Sequence, residues 1–198
     1  MDTMPDMQSL MPQSEDRVRL TALQRSNIHT HFQWNNDPEL NRLDSEVPFQ
    51  KESFGAFKHR FEQLCDAPKR THYAFEIYAA DEDALIGVAS IYGMRPASRN
   101  AYISLTIGKR AYWGRGYGRG AMRILLPLCF EEMGLHRVAA ETFAFNDAWR
   151  RLVQGSGFVH EGTLRDYLHR DGQFWDKEVY GLLAAEYTPL EPVLHATA

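Results

Sequence analysis

The glycine-rich run Trp113-Gly114-Arg115-Gly116-Tyr117-Gly118-Arg119-Gly120 lies between a segment with strand-like alternation and one with helical spacing. Glycine lets the backbone bring several N–H groups close to a ligand. The apolar residues that follow recur at helical spacing: Ala121, Ile124, Leu125, Leu128 and Cys129. Because a helix N-terminus adds partial positive charge, this strand, loop and helix predict a cradle for a phosphate group.

The charge distribution also indicates an anionic ligand at this loop. The 198-residue chain has a formal net charge of −4, but residues 84–130 contain seven basic residues and no acidic one, so the remainder carries −11. A cationic stretch in an acidic protein focuses attraction on one small polyanion. The overall balance argues against a protein that coats nucleic acid, so no nucleic-acid partner is expected.

Period-two alternation on both sides of the loop predicts strands. The predicted strands are Arg17–Leu20, His72–Ala79, Ala84–Tyr92, Ala101–Ile107, His136–Phe145, Phe158–His169 and Gln173–Leu182. Strands joined by short connections pair antiparallel, whereas a strand, helix and strand crossover gives parallel pairing. The predicted fold class is α+β (α/β mixed), with a mixed, mostly antiparallel sheet and one β-α-β crossover that carries the glycine loop.

Capping residues mark the expected helix boundaries. Asp37-Pro38-Glu39 predicts a helix start, with Asp37 as N-cap and the proline at the first helical position. Asn146 or Asp147 is predicted to cap a short helix that ends near Gln154. Pro127 predicts a kink in the helix after the loop, because proline removes one helical hydrogen bond and clashes with the preceding turn.

Length and composition indicate one folded domain. The fractions of hydrophobic residues (44%) and charged residues (24%) are those of soluble globular proteins, which excludes a disordered or fibrous chain. We expect the domain at residues 15–187, with flexible tails at 1–14 and 188–198, where no periodicity is sustained. Two cysteines, no signal-peptide pattern and no long apolar run predict a cytoplasmic protein with no membrane partner.

Two other nucleotide-binding loops share part of this pattern. A Walker loop is excluded, because no Gly-Lys-Ser or Gly-Lys-Thr follows the glycines. A dinucleotide site stays open, because Gly116-x-Gly118-x-x-Ala121 matches the degenerate Rossmann fingerprint and Glu141 stands about 20 residues further on. That fingerprint opens a series of βα units, whereas here it follows a meander, so an NAD(P)-binding oxidoreductase is the weaker alternative.

The run Arg115-x-x-Gly118-x-Gly120 resembles the pyrophosphate-binding signature of the GNAT superfamily of acetyl-CoA-dependent N-acetyltransferases. Trp34–Glu39 is similar to the first helices of the ribosomal-protein and polyamine acetyltransferase branches. Further matching segments are Ala111–Gly114, Glu132–Val138, Asn146, Gly157-Phe158, Glu161-Gly162 and Arg170–Gly172. The resemblance spans nearly all of residues 15–187.

This resemblance implies a single domain whose sheet is flanked by helices and splayed at 101–107 and 136–145, opening a slot for the pantetheine arm of acetyl-CoA. It implies these cosubstrate-binding residues: Ile107, Gly108, Lys109, Arg115, Gly116, Tyr117, Gly118, Arg119, Gly120 and Asn146. Lys109, Arg110, Arg115 and Arg119 are expected to cluster near the phosphates. For Asn146, an N-cap role is the open alternative.

Acetyl transfer to an amine needs an uncharged amine, a hydrogen-bond donor for the developing oxyanion and a leaving thiolate. Backbone N–H groups left unpaired at Ile103–Ile107 are predicted to serve the oxyanion. Glu141, on the strand that enters the slot, is the predicted catalytic base, and Glu76 is the reserve. A solvated strand glutamate is an equally open interpretation of Glu141.

Two positions depart from the resemblance. Many relatives carry a tyrosine general acid where this chain has Val153, and some carry a serine where it has Trp149. Neither side chain can protonate sulfur, although a thiol pKa of about 8.5 makes coenzyme A a tolerable leaving group. We therefore expect another donor or a slow enzyme, and a catalytically silent acyl-CoA-binding module is the alternative.

The predicted activity is transfer of an acetyl group from acetyl-CoA to a primary amine by direct attack in a ternary complex. The acceptor class stays open between a polyamine, another small amine and a protein or peptide N-terminus, and the acidic remainder of the chain favours a cationic one. No metal is expected, because His29-x-His31 lacks a third ligand at recognisable spacing. By resemblance, a homodimer is compatible with the family.

Overall fold

One mixed sheet forms the centre of the computed structural model, which describes residues 13–15, 17–66 and 71–191. Within those residues the sheet has eight strands in the order β1-β2-β3-β4-β5-β6-β8-β7. The strands are β1 Gln13–Glu15, β2 Val18–Ala22, β3 His72–Ala79, β4 Ala84–Arg95, β5 Asn100–Ile107, β6 Arg137–Phe143, β7 Val159–Arg170 and β8 Gln173–Leu183. The α-helices are α1 Ile28–Asn35, α2 Pro38–Asp44, α3 Phe54–Asp66, α4 Tyr117–Pro127 and α5 Asp147–Gln154.

The parallel pairing falls at the predicted crossover. In the described part of the chain, β5 and β6 are the one parallel pair, and the other neighbouring strands are antiparallel. Their pairing covers only Asn100–Tyr102 against Arg137–Ala139. Beyond these three positions the two strands separate, so the α+β fold with a splayed, mostly antiparallel sheet is confirmed.

Helix α4 carries the core-facing stripe that follows the glycine loop. Ala121, Leu125 and Cys129 have no exposed surface, and they pack on the sheet. Pro127 is the last α-helical residue, and Leu128–Glu132 continue as a π-helical turn in which Met133 N–H donates to Leu128 C=O. At the predicted kink the structure therefore changes its hydrogen-bonding pattern from α-helical to π-helical.

Two elements were not predicted from the sequence. Helix α1 has no side-chain N-cap and no clear apolar stripe, and tertiary contacts hold it, including His31 packed against Phe61. Strand β1 pairs with β2 through Gln13 and Ser14, which were expected to lie in the N-terminal tail. Short strands of this kind depend on their neighbour rather than on their own sequence pattern.

The chain around residue 190 is also held against the domain. Arg123 Nε donates to Leu190 C=O at 3.1 Å, and Leu190 packs against the core, although 188–198 was expected to be a tail. The rest of the two expected tails, 1–12 and 192–198, lies outside the described residues. No described helix combines the length and apolar character needed to cross a bilayer.

Candidate active site

A cleft of about 750 Å³ opens where β5 and β6 separate. Ile103–Ile107 line one side of this cleft and Glu141–Phe143 line the other. The C-terminal end of helix α2 and the loop after it line the cleft beside Glu141 and Lys177, here called the α2 end. The glycine loop and α5 line it beside Leu105 and Ile107. Because β5 still pairs with β4, its backbone groups that point toward β6 are left without a strand partner beyond Tyr102.

The glycine loop places a helix N-terminus at the cleft. Gly116 is the N-cap of α4 with φ of 86°, a left-handed conformation that favours glycine, and Gly120 N–H donates to its carbonyl at 3.0 Å. The N–H groups of Tyr117, Gly118 and Arg119 belong to the first helical turn, which has no intrahelical acceptor for them. Gly116–Arg119 all line the cleft, so the predicted anion cradle has the required geometry.

Basic side chains approach the cleft less uniformly than predicted. Arg119 lines it and donates to Gly155 C=O at 3.2 Å. Arg115 instead donates to Ala111 C=O and lies over the rings of Tyr112 and Tyr117. Of the four expected basic residues, Arg119 borders the cleft, and Arg110 and Arg115 lie over aromatic rings of its lining.

Arg110 binds residues of α2 and does not line the cleft. Its guanidinium donates to Glu39 and to Asp37, both at 2.8 Å. The Arg110 hydrogen bond lowers the pKa of Asp37, which also caps α2 by accepting from Glu39 N–H and Leu40 N–H. These contacts confirm the predicted start of α2 and tie it to the segment before the glycine loop.

A basic residue that was not predicted, Arg151 of α5, lines the cleft near Arg119 and Gly155. Its position depends on how α5 packs, and no local sequence pattern distinguishes it from the neighbouring Arg150. Lys109 is exposed and lies outside the lining residues.

Two of the predicted cofactor-binding glycines are required by packing. A Cβ atom on Gly108 would lie 2.2 Å from Cε2 of Trp34, and one on Gly120 would lie 2.6 Å from Cγ2 of Val18. Both glycines are buried, and neither lines the cleft. Gly118 differs, because a Cβ there would lie 3.2 Å from Leu152, a residue of the cleft wall.

Asn146 caps α5 and joins it to α2. Its side-chain oxygen accepts from Trp149 N–H at 3.2 Å, and its side-chain nitrogen donates to Leu43 C=O at 3.1 Å. Asn146 lines the cleft, but both ends of its amide have protein partners. The N-cap alternative is therefore realised in the structure.

Glu141 lines the cleft and forms an ion pair that the sequence did not indicate. Lys177 Nζ of β8 lies 2.5 Å from Glu141 Oε2 and 2.7 Å from Glu46 Oε1. Burial alone would lower the pKa of Lys177, but its hydrogen bonds to the two carboxylates outweigh burial and raise it. The Lys177 hydrogen bond lowers the pKa of Glu46.

The reserve base, Glu76, lies away from the cleft. It is completely buried, and its carboxylate accepts from Gln24 N–H, Asn27 Nδ2 and the hydroxyl of Tyr78. His31 Nε2 lies 2.9 Å from the same carboxylate. These contacts make Glu76 a structural residue of the α1 docking site, so its prediction as a reserve catalytic base is wrong.

The two positions at which this chain departs from the family pattern, Val153 and Trp149, have different surroundings. Val153 is completely buried in the core, away from the cleft. Trp149 is half-buried, lines the cleft and donates from Nε1 to Glu141 C=O at 3.0 Å. Trp149 therefore both packs against the core and narrows the cleft.

Two titratable residues at the α2 end of the cleft were missed by sequence reasoning. Asp44 is the last residue of α2 and Tyr92 lies near the end of β4, and both line the cleft. Burial, followed by the negative charges of Glu141 and Asp44, raises the pKa of Tyr92 to about 12, so its phenol stays protonated at neutral pH. A carboxylate in the last turn of a helix is unfavourable, because the C-terminal end of the helix carries partial negative charge. This placement was the sequence signal that could have singled out Asp44.

A metal centre is not indicated by the described residues, in which no group of three or more His, Cys, Asp or Glu side chains is placed to hold an ion. Cys129 is completely buried, and burial raises the pKa of its thiol, so it is an inert core residue.

The comparisons with known proteins identify the class of this fold, in which a splayed sheet opens beside a glycine-loop helix. The sequence model of the family described as acetyltransferase (GNAT) domain matches residues 17–159. The chain therefore belongs to the GNAT acetyltransferase family.

Similar proteins include the Bacillus subtilis "Probable N-acetyltransferase YjcK", which is 32% identical over 116 residues, 58% of this chain and 64% of that protein. The Escherichia coli [ribosomal protein uS5]-alanine N-acetyltransferase is 29% identical over 118 residues, 59% of this chain and 60% of that protein. Both matches span less than two thirds of the relative's length.

A solved structure shares most of this fold. The spermidine N-acetyltransferase from Vibrio cholerae, in complex with CoA and spermine, superposes with a TM-score of 0.77 at 22% identity. The match covers 86% of this chain and 98% of that chain. The expected fold and family are confirmed, whereas the site residues stay predictions.

Proposed function

We propose that this chain transfers the acetyl group of acetyl-CoA to a primary amine by direct attack in a ternary complex. The observation that carries the proposal is the first turn of α4, whose N–H groups at Tyr117, Gly118 and Arg119 border the cleft between the splayed strands. These N–H groups and the positive end of the helix suit the diphosphate of a coenzyme A thioester.

The cleft is suited to the remainder of such a thioester. Arg119 and Arg151 border the loop end and supply positive charge for phosphate groups. Ile107 and the residues before it line the opening of β5, where a pantetheine arm can replace the missing strand contacts. Lys109, Arg115, Gly108 and Gly120 stay in the proposed loop region, where they shape its backbone and surface.

The reaction is proposed to occur where the strands separate. Unpaired backbone N–H groups of Ile103–Ile107 are suited to stabilise the oxyanion that forms on the thioester carbonyl. Glu141 borders this region and is retained as a candidate base. Its ion pair with Lys177 would have to weaken before the carboxylate could bind a proton.

The acceptor is proposed to enter at the α2 end of the cleft. Four charged side chains meet there: Asp44, Glu46, Glu141 and Lys177. Their formal charges sum to −2, so this end attracts a cationic amine. A polyamine, another small amine and a basic peptide N-terminus all meet this requirement.

Thiol-release kinetics test the proposal. Purified chain and acetyl-CoA are combined with polyamines, amino acids, aminoglycosides and peptides that have free N-termini, and product mass identifies the acetylated amine. Amine-dependent thiol release with a mass gain of one acetyl group is expected. Acetyl-CoA binding without turnover on any amine would instead favour the silent acyl-CoA-binding module.

The oxidoreductase alternative lacks structural support. It requires a series of parallel βα units, whereas β5 and β6 are the single parallel pair among the described strands. A thermal shift on adding NAD(P) but none with acetyl-CoA would contradict the proposed activity.

A further inference from the structure

The segment Arg42–Val47, here called the strap, crosses the acceptor end of the cleft at the end of α2. The β7–β8 hairpin holds the strap through Arg170, whose guanidinium donates to the carbonyls of Arg42 at 2.6 Å, Ser45 at 2.8 Å and Val47 at 3.3 Å. Asn146 donates to the carbonyl of Leu43. The backbone is therefore fixed on both sides of Asp44, which faces the cleft.

Asp44 differs from the other carboxylates that line the cleft in having no protein partner. The paired carboxylates are Glu39 with Arg110, Glu46 and Glu141 with Lys177, and Asp147 with Arg150. Across the part of the chain that the structure describes, Asp44 forms no hydrogen bond and no ion pair. A carboxylate that lines the cleft on a hydrogen-bonded segment of backbone and has no protein partner is available to a ligand.

The surroundings of Asp44 also disfavour an unpaired negative charge. The side chain is exposed to solvent in the open cleft, but partial desolvation by the neighbouring protein atoms raises the pKa of its carboxyl group. Asp44 ends α2, where the helix dipole is negative, and Glu46 and Glu141 add two further negative charges against the single charge of Lys177. A cationic ligand would relieve this repulsion.

We propose that Asp44 is the catalytic residue that binds the ammonium group of the acceptor and takes its proton before acetyl transfer. The inference rests on the proposed function and names the acid–base group of that reaction. Asp44 replaces Glu141 as the base in this assignment. Glu141 and Glu46 hold Lys177, which positions the strap.

The proton and electron balance is complete within the proposed reactants. The carboxylate of Asp44 takes one proton from R–NH3+, and the freed lone pair of nitrogen forms the new C–N bond at the thioester carbonyl carbon. As the tetrahedral intermediate collapses, the C–S bond breaks with its electron pair on sulfur. The proton that the nitrogen loses goes to the thiolate, and Asp44 returns its own proton to solvent.

The test compares wild type, Asp44→Asn, Asp44→Glu and the control Asp83→Asn. Asp83 is an exposed carboxylate in the turn between β3 and β4, and it lies outside the lining of the cleft. Acetyl transfer to spermidine and to a peptide with a free N-terminal alanine is measured from pH 6 to pH 10 at saturating acetyl-CoA. Acetyl-CoA affinity is measured in parallel.

We expect Asp44→Asn to lower kcat/KM for the amine by about 10²-fold at pH 7, the scale of a lost general base. For spermidine the deficit should shrink toward pH 10, because the uncharged fraction of an amine with a pKa of about 10.4 rises there. For the peptide it should shrink already near pH 8, because an α-amino group has a pKa of about 7.7–8.0. Asp44→Glu should recover part of the rate and its pH dependence. Acetyl-CoA affinity and the Asp83→Asn variant should match wild type.

Two outcomes overturn the inference and are distinguishable from failure of the proposed function. If wild type acetylates an amine and Asp44→Asn keeps both its rate and its pH profile, the assignment of Asp44 is wrong while the proposed function stands. If wild type binds acetyl-CoA but acetylates neither amine, the change in melting temperature on adding spermidine decides whether Asp44 binds the ammonium group. A shift that Asp44→Asn abolishes retains Asp44 as the ammonium site, and a shift that is unchanged or missing in wild type contradicts it.

Discussion

Lys177 on β8 joins Glu141 on β6 through an ion pair of 2.5 Å at the point where the sheet opens. The same ammonium group holds Glu46 of the strap, so one buried lysine connects the sheet to the wall of the acceptor end. The geometry of the acceptor end of the cleft therefore depends on Lys177. The proton transfer proposed there depends on Asp44.

Replacing Lys177 by Met should destabilise the protein by about 2 kcal/mol at pH 7, between the values for exposed and buried ion pairs. The raised pKa of Lys177 means that its contribution is complete below the unfolded value of about 10.4 and is lost as pH rises through the folded value. Urea unfolding should show the same deficit at pH 7 and pH 9. The control Lys58→Met removes only an exposed i,i+4 pair, and an equal loss there would contradict the account.

Replacing Asp37 by Ala should remove the N-cap of α2 and its contact with Arg110, with a loss of about 1 kcal/mol at pH 7. Because the pKa of Asp37 is lowered, its ionic contribution is present above the unfolded value of about 3.9 and is lost as pH falls through the folded value. Asp37→Asn keeps the cap without the charge. The difference in free energy of unfolding between Asp37→Asn and wild type should therefore vanish near pH 2. A difference that does not change with pH would rule out the charge of Asp37 as its cause.

Replacing Gly118 by Ala should weaken acetyl-CoA binding by about 10-fold or more while the protein stays folded. The added methyl group would approach Leu152 on the cleft wall, beside the N–H groups proposed to hold the diphosphate. Calorimetry with acetyl-CoA measures the change. Gly55→Ala is the matched control, because a Cβ there meets no atom within 4 Å, and its binding constant should equal that of wild type.

Replacing Gly108 by Ala should destabilise the protein by about 1–3 kcal/mol, because the new methyl group overlaps the indole of Trp34. Most of that loss should disappear when the same change is made in a Trp34→Ala background. Such non-additivity in thermal unfolding would show that Gly108 exists for packing. Additive losses would indicate instead that Gly108 has a separate role.

The sequence predicted those features that depend on neighbouring residues. Asp37 and Pro38 mark a helix start because capping and proline geometry are local. Alternation predicted the strands, and the crossover before β6 predicted the single parallel pair. Asp171-Gly172 forms the hairpin turn with positive φ at both residues, as this dipeptide favours.

The features that were missed depend on residues far apart in the chain. The pairing of Lys177 with Glu46 and Glu141 joins three elements that only the folded sheet brings together. Arg151 reaches the cleft because of how α5 packs, and α1 is held by contacts with a buried glutamate rather than by its own periodicity. Local spacing carries no information about such contacts.

A crystal structure of the chain with acetyl-CoA would show where the diphosphate binds. We expect its oxygens within hydrogen-bond distance of the N–H groups of Tyr117, Gly118 and Arg119, and the pantetheine arm between β5 and β6. A thioester bound at another surface, with this helix N-terminus left to solvent, would contradict this expectation.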